Sequence, residues 1–193
     1  MKEKNALFIL QNWLINNCNG DWEHEYGVKI ETIDNPGWSI KIELTGTPLE
    51  NLSFSKIENK DNIYNCWLDI KVENDVFIAF GYDLSELVNV FYEDFLIPNL
   101  KISNFLYPMY TKVPNSNPGV WRELVTKMID INEFKIIDIP DMDFKNLKVE
   151  KVEDFEKINF SKLATTLDWN IGDIVKCQLV KMFDYPTLIV IEK

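Results

Sequence analysis

The chain has 193 residues, 46% of them hydrophobic and 13% aromatic, and a net charge of −11. That is enough for one large domain or two small ones around real cores, and the acidity argues against nucleic acid or an anionic membrane as a direct ligand, since both repel a negative surface. There is no run of about 18 apolar residues to span a membrane, and the N-terminal apolar stretch, soon broken by Gln11 and Asn12, is too short for a signal peptide, so the sequence predicts a cytoplasmic protein.

The acidity is uneven. Residues 1–97 carry 7 lysines against 17 acids, whereas residues 98–193 carry 13 basic residues against 14 acids. Nearly all the net charge therefore sits in the first half, which serves solubility and equally suits a basic protein partner.

In chain order, Leu7, Leu10 and Leu14 recur at helical spacing, flanked by Phe8 and Trp13, and predict a helix over 5–17 that stops by Gly20. From Tyr26 the period changes to two. Val28, Ile30 and Thr32, then Trp38, Ile40, Ile42 and Leu44, predict a hairpin with one apolar face. Its turn is Asp34-Asn35-Pro36-Gly37, where Pro36 presets φ and Gly37 suits the positive φ of a type II turn. A second strand pair is predicted at 63–72, with Tyr64, Cys66, Leu68, Ile70 and Val72 on one face, and at 76–81. Asp83 is placed to cap a helix whose Leu84, Leu87, Val88, Phe91 and Phe95 form a buried stripe and which Pro98 ends.

Residues 1–97 thus read as an acidic α+β domain: N-terminal helix, four-stranded antiparallel meander, and helix, with the helices on one sheet face. Residues 98–119 hold Pro98, Pro108, Pro114 and Pro118 and mark the boundary, a linker whose Phe105, Leu106, Tyr107, Met109 and Tyr110 are too apolar to stay solvated. Residues 120–193 read as a second small α+β unit of unassigned role. Val120, Trp121, Leu124, Val125 and Met128 predict a helix that begins at Pro118, and strands are predicted at 134–139, 147–152, 173–182 and 187–193, with a short helix near 158–167. The run Leu188 to Ile191 is apolar throughout, which predicts a central strand buried on both faces.

Chemistry is tested most sharply by "CNGDWEHEYG", residues 18–27, which holds the chain's single histidine. Zinc needs Cys or His in spaced pairs, but His24 is alone and Cys18, Cys66 and Cys177 form no CxxC. Asp21, Glu23 and Glu25 lack the glycine and closing glutamate of a calcium loop. There is no GxSxG elbow, no phosphate-binding glycine loop, and a single arginine, Arg122. No catalytic, cofactor or metal residues are predicted. Carboxylates around Trp22 and Tyr26 instead have the composition of a recognition surface, the alternative being that both rings point into the core. Trp67, on the opposite parity from Cys66 and Leu68, is a further candidate for exposure.

The stretch "LQNWLINNCNGDWEHEYGVKIETIDNPGWSIKIELTGTPLEN" closely resembles the immunity protein 53 family of bacterial polymorphic-toxin systems, and the likeness runs through "IYNCWLDIKVENDVFIAFG" and the helix from Asp83, about residues 5–97. The resemblance implies a non-enzymatic protein that binds and neutralises a cognate toxin encoded beside it. It supplies no catalytic residues to carry over, and it does not extend to residues 98–193.

The partner expected is that toxin, a basic nuclease among the candidates, with no direct nucleic acid, no membrane and no cofactor; a homodimer is left open. The candidate partner-binding residues are Asp21, Trp22, Glu23, His24, Glu25 and Trp67. Two alternatives stand beside this reading: a small hydrolase or acid–base enzyme using His24 with Glu23 or Glu25, and a scaffold whose partner binds the aromatic stretch Phe105 to Tyr110.

Overall fold

The structure is a computed structural model that describes residues 5–34, 36–59, 67–114, 116, 119–141, 147–149, 169–182 and 185–193. The chain is α+β and divides into two compact units, Met1–Asn104 and Phe105–Lys193.

The first unit begins with α1, Ala6–Asn17, capped by Asn5, whose Oδ1 accepts the Leu7 N–H at 2.8 Å. Its buried side is formed by Ile9, Leu10, Trp13, Asn16 and Asn17, while Leu7 and Leu14 are exposed. The expected Leu7–Leu10–Leu14 stripe is therefore rotated: Trp13, the largest side chain, sets the inward direction, and leucines seven apart fall on the flank. After α2, Trp22–Glu25, come β1, Val28–Ile33, and β2, Gly37–Glu43. Gly37 is already in β2, paired with Ile33, and not at a positive-φ turn position as expected; Asn35 lies outside the described residues.

The sheet has five strands, not four, because Ser55–Asn59 forms β3; β4 is Trp67–Glu73 and β5 is Val76–Gly81. Nor is it a meander: the order is β1-β2-β5-β4-β3, with β5 inserted between β2 and β4 and every pair antiparallel. Asn74 and Asp75 both take positive φ, 52° and 56°, as a two-residue type I′ hairpin between β4 and β5 requires. Tyr64 and Cys66, expected in β4, lie outside the described residues.

Asp83 caps α3, Leu84–Asn89, its Oδ1 accepting the Ser85 and Glu86 N–H groups. Helical structure then continues as a π-helical stretch, Val90–Leu96, into α4, Ile97–Ile102, so Pro98 does not end it. In the widened turn the Ile97 N–H reaches back five residues to the Tyr92 carbonyl, and the donor that Pro98 lacks falls at this handover. The helices cover the sheet face carrying Ile40, Ile42, Leu68, Ile70, Phe77 and Ala79, all buried. Trp13 meets Phe91 edge-on at 5.2 Å, Phe91 meets Phe77 at 5.1 Å, and Phe54 closes the cluster against Phe95 at 5.2 Å. Each such pair adds about 0.5–1.5 kcal/mol beyond burial.

In the second unit the described residues form β6, Tyr107–Lys112; β7, Val120–Asp130; β8, Glu133–Asp138; β9, Leu147–Val149; β10, Ile174–Met182; and β11, Tyr185–Glu192. The order is β6-β11-β10-β8-β7-β9, and because β6 also pairs with β7, five of the strands close into a ring. Only β11 and β6 run parallel among the registered pairs.

The helix expected from Pro118 is strand β7. Val120, Arg122, Leu124, Thr126 and Met128 are buried, and the residues between them are half-buried, a period of two. The last strand, β11, is paired on both edges; Leu188 and Val190 are buried on one face, while on the other Thr187 is buried, Ile189 half-buried and Ile191 exposed, so the second face is covered only in part, towards the start of the strand. The helix expected near 158–167 lies outside the described residues. Of the stretch 98–119 read as a linker, 98–102 belongs to α4 and 107–112 is β6.

Candidate partner-binding site

Residues 18–27 form a short helical hinge from α1 into β1, built by reciprocal capping. Asn19 Oδ1 accepts the Asp21 and Trp22 N–H groups at 3.0 and 2.9 Å, while the Glu23 carboxylate reaches back to the Asn19 and Gly20 N–H groups at 3.0 and 3.1 Å. Gly20 holds φ 105°, the left-handed conformation that lets the chain reverse here.

Trp22 points inward. It is 4% exposed, its indole N–H donates to the Thr45 carbonyl at 2.8 Å, and its ring lies 6.0 Å from Tyr26. Gly46, at φ +71°, faces it closely enough that an added Cβ would stand 3.5 Å from the indole Cδ1. The reading of Trp22 as a core residue of the helix–strand junction is the one the structure bears out, since an indole buried to this depth offers little area to a partner.

The acids divide. Asp21, His24 and Glu25 are exposed. Partial burial alone would raise the Glu23 carboxyl, but hydrogen bonds from backbone N–H groups, with His24 nearby, outweigh it and hold Glu23 below the usual carboxylate range. Its oxygens are thus engaged within the turn. Cys18 donates its Sγ–H to the Leu14 carbonyl at 3.2 Å, and burial, then the Glu23 charge, push its thiol up to about 11. A thiol held that high is almost wholly protonated at neutral pH and makes a poor nucleophile. Among the described residues no group of three or more His, Cys, Asp or Glu side chains is placed to hold a metal ion.

Position along the sheet separates the candidates. The α2 hinge sits at the end of the sheet where Glu43, Val76 and Glu73 are in register, tied there by Trp22 to Thr45 and by the Glu43 N–H to the Gly27 carbonyl. Trp67 opens β4 at the other end, where its carbonyl accepts the Tyr82 N–H at 3.3 Å. The two ends of β4 are about 20 Å apart at ~3.3 Å per residue, so Trp67 does not join the α2 residues in one patch. Half-buried, it is opposite in parity to buried Leu68 and lies on the face away from the helices.

In the second unit, Tyr107 and Met109 are buried in the ring, so Phe105 to Tyr110 is not a continuous exposed aromatic strip. Arg122 is also turned inward, donating its Nε–H to the Pro140 carbonyl at 3.2 Å, and burial lowers its pKa against the opposing pull of Asp141.

With this geometry in place, comparison with known proteins locates the first unit. Residues 7–95 match the immunity protein 53 family. The immunity protein 53 match spans α1 to the π-helical stretch and includes α2 and all five strands of the first sheet, a little under half of the chain. The resemblance read from residues 5–97 is confirmed over that range. No curated protein and no solved structure matches the chain. No helix among the described residues is long and apolar enough to cross a membrane.

Proposed function

We propose that this chain is an immunity protein that binds and neutralises the toxin encoded beside it, and that it does so without enzymatic activity, in the cytoplasm of the producing cell. The observation that carries this reading is the immunity protein 53 match over the acidic half of the chain. Its acidic first unit docks on a basic toxin, a nuclease among the candidates, and shuts substrate out of the toxin's active site. Complementary charge accelerates such an encounter and suppresses wrong partners. Asp21 and Glu25, exposed just before and at the end of α2, contribute to that field, whereas Trp22 and Glu23 hold the hinge in shape.

The alternative of a hydrolase using His24 with Glu23 or Glu25 draws no support from the geometry, because the Glu23 carboxylate is engaged by backbone N–H groups and His24 and Glu25 are exposed. The second unit, residues 105–193, adds a separate strand ring to which we assign no toxin contact.

The test is inhibition of the purified toxin by the purified chain at low and high salt. We expect a 1:1 complex in which the toxin is inactive and an association rate that falls at least tenfold between about 20 and 500 mM salt, as the Debye length shrinks several-fold. Active toxin in the complex, or a rate indifferent to salt, overturns the occlusion mechanism.

A further inference from the structure

At the end of the first sheet opposite α2, two clefts meet at Asp83. One, of about 560 Å³, lies between the β1–β2 turn and the start of α3 and is walled by Ile33, Pro36, Trp38, Tyr82 and Leu84 as well as Asp83. The other, of about 430 Å³, continues past Asp83 along α3 and the π-helical stretch and includes Glu86, Glu93, Asp94 and Lys56. The first offers aromatic and apolar walls; the second carries four carboxylates, counting Asp83, against one ammonium.

The aromatic cleft has the makings of an anchor pocket. Tyr82 is 50% exposed and Pro36 is exposed, while Trp38 is half-buried, so a partner side chain gains contact area on their rings. The backbone beneath the rings is fixed: Tyr82 N–H is bonded to the Trp67 carbonyl, Trp38 is in register with Gly81, and Asp83 caps α3. Aromatic walls on a fixed backbone concentrate binding energy, because Trp and Tyr give large contact area for few rotatable bonds. The adjoining carboxylates select the occupant. Lys56 shows what the acidic cleft accepts: its ammonium is 2.8 Å from Asp94 on the cleft wall.

We propose that this groove, and not the α2 hinge, is the anchor point for the toxin, seating a segment in which an arginine or lysine adjoins a large apolar or aromatic side chain. The apolar group lies between Trp38 and Tyr82, and the cation lies against the carboxylates beyond Asp83. This rests on the reading of the chain as an immunity protein; what it adds is the location and the chemistry of the contact.

The experiment measures affinity for the purified toxin domain encoded beside the chain, using wild type, Tyr82→Ala, the triple variant Glu86→Gln/Glu93→Gln/Asp94→Asn, and Asp21→Asn/Glu25→Gln at α2, with thermal melts of each. The expected result is a loss of about tenfold or more for each groove variant, with wild-type melting, and less than about threefold for the α2 variant. Groove variants that melt normally and bind like wild type overturn the proposal, as does loss confined to the α2 variant. If a groove variant melts early, Tyr82→Gln and Glu86→Gln/Glu93→Gln replace it, and wild-type affinity in both again overturns the proposal. If wild type itself does not bind the toxin, the immunity reading falls and takes the groove with it. Sedimentation gives the other occupant: a wild-type dimer that Tyr82→Ala converts to monomer means the groove holds a second copy of this chain, and the toxin proposal is wrong.

Discussion

Trp22 donates its indole N–H to the backbone carbonyl of Thr45, 23 residues away, at 2.8 Å. This bond, with burial of the ring against Gly46, fastens a four-residue helix that could not persist alone to the loop that follows β2. Trp22→Phe keeps most of the ring but leaves the Thr45 carbonyl without this donor, and should cost about 1–3 kcal/mol; Trp22→Ala should cost about 3–5 kcal/mol. Urea unfolding measures both. An unchanged midpoint for Trp22→Ala would mean that the ring is not core.

Glu23 gives the same hinge a pH dependence. Its carboxyl is held below the usual range in the folded chain, so its contribution is present above the unfolded value near 4.3 and is lost as pH falls through the lower folded value. Glu23→Ala should therefore be less stable than wild type by about 1 kcal/mol at pH 7, and the gap should narrow as the pH falls below the unfolded value and through the lower folded one. A gap that does not narrow in acid would assign the loss to packing.

Gly81 tests the seat of α3. A Cβ there would stand 2.8 Å from the Leu87 Cδ2 and 2.9 Å from the Trp67 carbonyl oxygen, and although the leucine tip can move, the strand backbone cannot easily do so. Gly81→Ala should destabilise the first unit by about 1–3 kcal/mol in urea unfolding. Stability equal to wild type would show that β4 and α3 separate here at little cost.

The thiols should be slow. Cys18 is pushed up to about 11 and Cys177, chiefly by burial, to about 12. At pH 8 iodoacetamide should label Cys18 roughly a hundredfold more slowly than a model thiol of pKa near 8.5, read by peptide mapping. Labelling as fast as the model thiol would show that the hinge does not hold the Cys18 thiol protonated.

Lys56 tests the edge of the sheet. It stands in register with buried Ile70, so a charge occupies the core-facing side of edge strand β3, while Ile57 beside it is 70% exposed. Inward charges of this kind deter edge-to-edge pairing. Lys56→Val should change stability by less than about 1 kcal/mol, since the ion pairs it loses are exposed, but should raise self-association in light scattering. A variant that stays as monodisperse as wild type would leave Lys56 with only its local ion pairs.

The same residue explains why β3 was not legible in the sequence. Its alternation places Lys56 and Glu58 on the buried side, the reverse of the pattern by which β1, β2, β4 and β5 were recognised. Strand β7 was misread for a related reason. Val120, Leu124 and Met128 recur every four residues, a spacing compatible with both a helix and a strand, and the residues that decide between them, Arg122 and Thr126, are polar yet buried. In the candidate site, the hinge could be placed from its glycines and acids, but the groove could not. Its walls come from Ile33 to Trp38 and from Tyr82 to Leu84, stretches more than forty residues apart.

By itself, the sequence determined what depends on neighbouring residues and on composition. Asp83 caps its helix, strands alternate from Val28 to Leu44 and from Leu68 to Val72, the first half carries the acidity, and the ordered motifs mark the immunity protein 53 likeness. These follow from hydrogen bonds and alternation within a few residues, or from simple counting. The tertiary structure alone decided that β5 lies between β2 and β4, that Trp22 faces inward while Trp67 sits at the far end of the sheet, and that two clefts meet at Asp83. An alternating pattern specifies which face of a strand is apolar, whereas its neighbour and the direction of each aromatic ring are set by packing between segments distant in the chain.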